Sequence, residues 1–172
     1  GDLIQILDTK RPHPSLIVHT GRVVQGAVRK GDTVQLSIDA GRREAIRLNH
    51  SATHILHAVL REVLGSHVRQ AGSLVTPDRL RFDFTHTSPV KDDVLEDIED
   101  LINAHIRDNA EVTSEEMVFA DAIKKGALAF FGEKYGERVR VLRMGNFSTE
   151  LCGGTHVSRT GDVGLLKFKG EA

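Results

Sequence analysis

Tryptophan is missing from this 172-residue chain, and cysteine and tyrosine occur once each. A single thiol cannot close an intrachain disulfide, so a secreted, disulfide-stapled scaffold is excluded. No stretch approaches the roughly 20 apolar residues of a membrane span, and the amino terminus lacks a secretory hydrophobic region. A charge excess is missing too: 23 Lys plus Arg against 24 Asp plus Glu leave −1 with the nine histidines neutral, unlike a polybasic protein that binds through bulk charge. No Walker A loop, GxGxxG or GxSxG is present, which removes the main support for nucleotide, dinucleotide and serine-hydrolase readings. A soluble, cytoplasmic protein without a membrane partner is expected. At 40% hydrophobic and 27% charged, a chain this long buries roughly 70% of its unfolded surface and needs no staple. Gly1 in place of a starting Met suggests a piece of something longer.

The fold class expected is α+β, with a small N-terminal β-barrel over residues 1–40 and a domain over 41–172 in which two long helices pack on an antiparallel sheet. Strand-like runs at Leu3–Leu7, Leu16–His19, Arg22–Val28 and Thr33–Ile38 support the barrel. From Arg42 apolar residues recur every three or four positions up to Gly65, a natural residue to follow a helix. His67–Val75 and Arg79–Thr85 flank Thr76-Pro77-Asp78 and read as a hairpin. Ser88-Pro89 predicts the start of a second helix ending near Asn109, with an acidic, solvated outer face. Strands are expected near Glu111–Phe119, Val139–Met144 and Val163–Phe168, and a short helix over Asp121–Lys125.

The chemistry lies in histidine and cysteine. His50 and His54 stand four apart on the first predicted helix, on one face, with the spacing of two helical metal ligands. Glutamate does not follow His50, so the HExxH protease pattern lacks its general base. In Cys152-Gly153-Gly154-Thr155-His156, two consecutive glycines suit a tight turn that brings thiol and imidazole to one point, or a close approach of backbone to a ligand. Alone, each half-site has a bland alternative: surface or core histidines, and a small buried cysteine. Together they point to a zinc ion, Zn2+, held by His50, His54, Cys152 and His156. Four protein ligands fill a tetrahedron, so the zinc is structural, or one ligand is loose, or the coordination expands. His57 lies near both helical histidines and is compatible with a ligand, a group behind the ligands or a substrate contact. Glu150 projects to the same side as Cys152 in an extended segment; it orients a ligand histidine or, as the simpler expectation, is a surface carboxylate.

Leu48-Asn49-His50-Ser51-Ala52-Thr53-His54, Gly72-Ser73-Leu74, Arg81-Phe82-Asp83-Phe84 and Thr149-Glu150-Leu151-Cys152-Gly153-Gly154-Thr155-His156 closely resemble the editing domain of bacterial alanyl-tRNA synthetases. The threonyl-type editing domain and freestanding trans-editing proteins share HxxxH and CxxxH, but Arg-Gly-Pro is expected in the threonyl type where Gly-Gly-Thr stands here. The resemblance implies zinc on His50, His54, Cys152 and His156, hydrolysis of the ester joining serine or glycine to the acceptor end of tRNA(Ala), and a pocket lined by Gln70. Thr53 and Ser73 are the nearest alternatives to Gln70 for contacting the substrate. It also implies that aminoacylation and further tRNA binding belong to the remainder of the synthetase chain.

The chemistry is consistent with that expectation. An aminoacyl ester is activated, and a zinc ion can polarise its carbonyl, hold its α-amino group or lower the pKa of a water. A pocket for alanine cannot exclude glycine by size and rejects the serine hydroxyl poorly, so a second pocket that recognises the hydroxyl restores discrimination. Arg61, Arg69, Arg79, Arg81, Lys124, Lys125, Lys134, Arg138, Arg140 and Arg143 are candidate phosphate contacts, although scattered basic residues are ordinary surface and no RNP-like aromatic strand is present. Two other readings stay open: a non-catalytic, zinc-stabilised tRNA-binding module, and a freestanding trans-editing deacylase.

Overall fold

The computed structural model describes residues 1–13, 15–129 and 135–170. Contacts divide the chain into two units, Gly1–Ile38 and Asp39–Ala172.

In the first unit, β1 (Leu3–His13) and β2 (Leu16–Gln25) form one antiparallel hairpin with three register irregularities. The expected barrel is not found closed: among the described residues β1 and β2 pair only with each other, and 33–38 form no strand. The alternation in those runs is genuine, but a two-stranded ribbon cannot bury its apolar face within itself, and Leu7, Ile17 and Val24 stay exposed.

The second unit is α+β. Asp39 caps α1 (Ala40–Leu64) by accepting the Arg42 N–H at 2.8 Å, and Gly65, at φ 114°, ends it. The stripe Ala52, Ile55, Leu56, Val59 and Leu60 packs with Ile98, Ile102 and Ile106 of α2 (Asp92–Arg107), each large side chain worth about 1.5–3 kcal/mol when buried. That second helix begins later than Ser88-Pro89 suggests. Val90 turns into the core, and Asp92 and Asp93 occupy the first turn, where acidic groups favour the helix dipole.

The hairpin β3 (Gln70–Val75) and β4 (Leu80–Phe84) packs on α1, and β5 (Val112–Val118), β6 (Arg138–Met144) and β7 (Ser148–Leu151) form an antiparallel sheet in that order. A short α3 (Phe119–Lys124) follows β5. The sequence pattern did not show β7, a four-residue strand. Val163–Phe168 does not form the expected strand. A 3₁₀ turn at Thr160–Val163 leads into an extended segment that α2 holds through side chains: Asn103 donates to Leu166 O and accepts from Leu166 N, both at 2.9 Å, while Glu99 accepts from Phe168 N and Lys167 Nζ. Glu99 is therefore not merely part of a solvated acidic face. No helix among the described residues is long and apolar enough to cross a membrane.

Candidate metal centre and adjoining cleft

The middle of α1 is surrounded by protein: Ser51 through His57 are all buried. Four of those seven are polar, and each has a partner, as burial demands. Ser51 Oγ donates to Arg47 O and accepts the Val157 N–H at 3.0 Å, fixing the chain just beyond His156. Thr53 Oγ1 donates to Asn49 O at 2.9 Å. Asn49 Nδ2 donates to Thr76 O and Pro77 O at the tip of the β3–β4 hairpin. One stretch of helix thus holds both the hairpin and the Cys152–His156 loop.

His50, His54, Cys152 and His156 converge, with one potential ligand atom from each lying within 4.8 Å of all the others. Cys152 Sγ is 3.5 Å from His50 Nε2 and 3.3 Å from His156 Nε2. Bonds of about 2.3 Å to sulfur and about 2.0–2.1 Å to nitrogen in a tetrahedron place sulfur and nitrogen about 3.5 Å apart. The donor set and its spacing fit a metal ion.

Gly154 explains one of the two glycines. A Cβ there would lie 2.1 Å from His50 Cε1, whereas at Gly153 a Cβ would meet nothing within 4 Å. The loop is held from behind by Cys152 N donating to Arg140 O at 3.0 Å and by the Arg140 guanidinium donating to Gly154 O.

Electrostatics favour a thiolate. Burial pushes the Cys152 thiol up, but hydrogen bonds from His156, His50 and His54 outweigh it and hold it at about 3. Burial lowers His54, yet its bonds to Cys152 and Glu150 raise it to about 9. For His156, burial is the largest influence and lowers it.

Glu150 is where the surface expectation fails. It is 1% exposed, and its two oxygens accept from His54 Nδ1 and, at 2.8 Å, from His57 Nδ1. Burial raises its pKa, but the two imidazoles bring it down to about 2. His57 touches Glu150 and packs beside Phe82 at 5.4 Å between ring centroids; it is absent from the four-residue cluster. The sequence signal for Glu150 was its period-two relation to Cys152, which only a strand at β7 makes meaningful.

A cleft of about 350 Å³ opens beside the cluster, lined by His50, Thr53, His54 and Cys152 on one side and by Gln70 and Ser73 on the other. Gln70 and Ser73, three apart, would face opposite ways on a regular strand. The register shift between Gln70 and Gly72 turns both toward the cleft, where Gln70 Nε2 reaches Ser73 Oγ at 3.3 Å. Gly72 fits against Asp83 there, since an added Cβ would sit 2.8 Å from Asp83 Oδ2. Arg138 and Arg140 also line the cleft. Among the other basic candidates, Arg61 is spent on Ser66 O and Val68 O, Arg81 pairs with Asp83, Lys124 with Asp121 and Lys125 with Glu115. Lys134 lies outside the described residues.

Comparison with known proteins adds a family to this geometry. Residues 139–172 match the model of the threonyl and alanyl tRNA synthetase second additional domain. The alanine–tRNA ligases of Xanthomonas campestris pv. campestris (strain 8004) and Myxococcus xanthus (strain DK1622) are each 55% identical over 168 residues, 98% of this chain and 19% of theirs. That of Xanthomonas oryzae pv. oryzae (strain PXO99A) is 54% identical over 171 residues, 99% of this chain and again 19% of the relative. The chain spans about a fifth of the length of the curated relatives it matches. Along almost its whole length the chain is homologous to one segment of bacterial alanine–tRNA ligases, the family whose editing domain its motifs resemble.

Proposed function

We propose that the chain is the proofreading region of an alanyl-tRNA synthetase, a zinc-dependent deacylase that hydrolyses Ser-tRNA(Ala) and Gly-tRNA(Ala). The observation that carries this reading is the convergence of HxxxH and CxxxH beside a cleft whose opposite wall presents the Gln70 amide and the Ser73 hydroxyl. Its partners are the acceptor end of tRNA(Ala) carrying serine or glycine and the remainder of the synthetase, in the cytoplasm. His50, His54, Cys152 and His156 would hold the zinc, which when bound supplies a Lewis acid for an ester carbonyl or an anchor for an α-amino group.

The remaining work falls to the chain itself. Gln70 can donate to and accept from a serine hydroxyl, and Ser73 lies within reach of its amide nitrogen. Thr53 presents its hydroxyl from the helix, with its proton committed to Asn49 O and its lone pairs available to accept. Alanine offers no hydroxyl to this wall, so the wall favours serine over alanine; glycine, which has no side chain to place there, does not depend on it. Arg138 and Arg140 place positive charge at the cleft, suited to the phosphates of an acceptor end.

The four-donor set favours one other reading, a zinc that orders an RNA-binding module without catalysis. Turnover of Ser-tRNA(Ala), Gly-tRNA(Ala) and Ala-tRNA(Ala), with chelator and with zinc restored, decides between them. Hydrolysis of the first two, sparing of the third and zinc-reversible loss are expected. Binding of RNA with all esters left intact would establish the module instead.

A further inference from the structure

Resting on the metal reading above, we infer that Glu150 is a positioning residue: its carboxylate, clamped between His54 and His57, fixes the His54 ring so that Nε2 faces Cys152 and the metal. His57 serves as the second clamp and not as a ligand.

Three observations converge. The carboxylate is buried and uses one oxygen for each ring, accepting from His54 Nδ1 and His57 Nδ1. An ionised carboxylate is acceptor-only, so both rings must present Nδ1–H to it. A proton on Nδ1 leaves the lone pair of neutral His54 on Nε2, the atom needed by a metal. Placement reinforces this. Leu128 O accepts the Leu151 N–H at 2.9 Å and Leu128 N donates to Thr149 O at 2.9 Å, so the backbone on both sides of Glu150 is pinned. The His57 ring packs on Phe82. The carboxylate cannot swing away without giving up two hydrogen bonds in a site closed to water, where an unmade bond is costly.

Glutamine is nearly isosteric with Glu150 but has one acceptor oxygen and one donor nitrogen. It can accept from only one ring, and the other must move its proton to Nε2 or lose its bond. A histidine ligand whose partner behind the ring is lost typically binds metal about 10–100-fold more weakly.

The test combines metal affinity with ring tautomer. Zinc is titrated against a chromophoric chelator in the wild-type protein and in Glu150→Gln, and long-range ¹H–¹⁵N spectra of the metal-free proteins near pH 10, above the value of about 9 to which His54 is raised and where its ring is neutral, report which His54 nitrogen carries the proton. Expected are Nδ1–H in the wild type, a mixed or reversed tautomer in Glu150→Gln, and about 10–100-fold weaker zinc binding with helix content unchanged. His57→Asn keeps a donor near the Nδ1 position and should bind zinc within a few-fold of wild type, whereas His57→Leu should lose clearly more. Should Glu150→Gln fail to fold, the His57 pair decides. Equal zinc affinity in Asn and Leu variants, or an unchanged His54 tautomer and affinity in Glu150→Gln, overturns the inference while the metal reading stands. A wild-type protein that binds no zinc overturns the metal reading, and the tautomer comparison still judges the clamp.

Discussion

Cys152 and His54 line the cleft buried or half-buried, with Glu150 tied to His54 from behind, while Gln70 and Ser73 line it from a bulged hairpin and meet solvent. The first wall is knit together because Cys152 meets the His50 and His156 rings and Glu150 meets His54 and His57: removing one group strands several. The second packs on α1 through Phe82 and is tied at its tip by Asn49, while its Gln70 and Ser73 side chains keep hydrogen-bonding capacity for something else. On the proposed function the contrast would separate two duties, holding an ion and discriminating a substrate, and substitutions should separate them too.

The largest effect is expected at Cys152. Cys152→Ala removes the thiolate at the centre of the imidazoles and should reduce Ser-tRNA(Ala) hydrolysis about a hundredfold or more, with stoichiometric zinc lost. Circular dichroism should show an intact fold, since the α1–α2 core rests on Ile55, Val59, Ile98 and Ile102 and Cys152 only packs against its edge. Unchanged turnover would mean that the rigid wall has no part in the chemistry.

The same residue gives a pH signature in the metal-free protein. An ordinary thiol, with a pKa of about 8.5, loses about tenfold in thiolate for each pH unit below it. Cys152, held at about 3, is a thiolate at every pH above that value, so its iodoacetamide alkylation rate should stay flat between about pH 5 and pH 8. Mass spectrometry follows the modification, and bound zinc should protect. A tenfold rise per unit would show that the imidazoles do not support the thiolate.

The two glycines sharpen the comparison inside one loop. Gly154→Ala forces a methyl group into the His50 ring, an overpacking cost of about 1–3 kcal/mol, and should weaken zinc about 10–100-fold. Gly153→Ala projects into open space and should bind zinc like the wild type. Chelator competition measures both, and equal losses would mean that the turn and not the contact with His50 selects glycine.

At the hairpin wall the effect is smaller and selective. Gln70→Ala should slow Ser-tRNA(Ala) hydrolysis about tenfold more than Gly-tRNA(Ala) hydrolysis, because an unpaired buried polar group costs about 1–3 kcal/mol and glycine has no hydroxyl to lose. Equal losses would assign Gln70 to the shared ester or ribose. Zinc affinity should not change.

Much of this arrangement was legible in the sequence. The three- and four-residue periodicity gives α1, and four-residue spacing on it puts His50 and His54 on one face; both are local regularities. The Thr76-Pro77-Asp78 turn is equally local, and the hairpin forms around it. What escaped depends on distant partners. The bulge beside Gln70 is set by packing and leaves no reliable mark in composition. Glu150 reads as surface because its two imidazole partners are 96 and 93 residues away. The Val163–Phe168 run looks like a strand, but the donors and acceptors that satisfy Leu166 and Phe168 come from side chains of α2. The barrel was inferred from alternation alone, which fixes the period of a strand but not the number of its neighbours.

His50 and Cys152 are 102 positions apart in the chain. An ion bridging them would act as a reversible crosslink across most of the second unit, and closing a loop of about 100 residues with a covalent bond removes about 4.7 kcal/mol of chain entropy from the unfolded state. During synthesis the helix with its two histidines leaves the ribosome long before the thiol, at about 5–20 residues per second, so the four-donor site comes into being several seconds after its first half. Metal capture would then mark completion of the unit: until Cys152 and His156 have docked on α1, only half of the donor set exists.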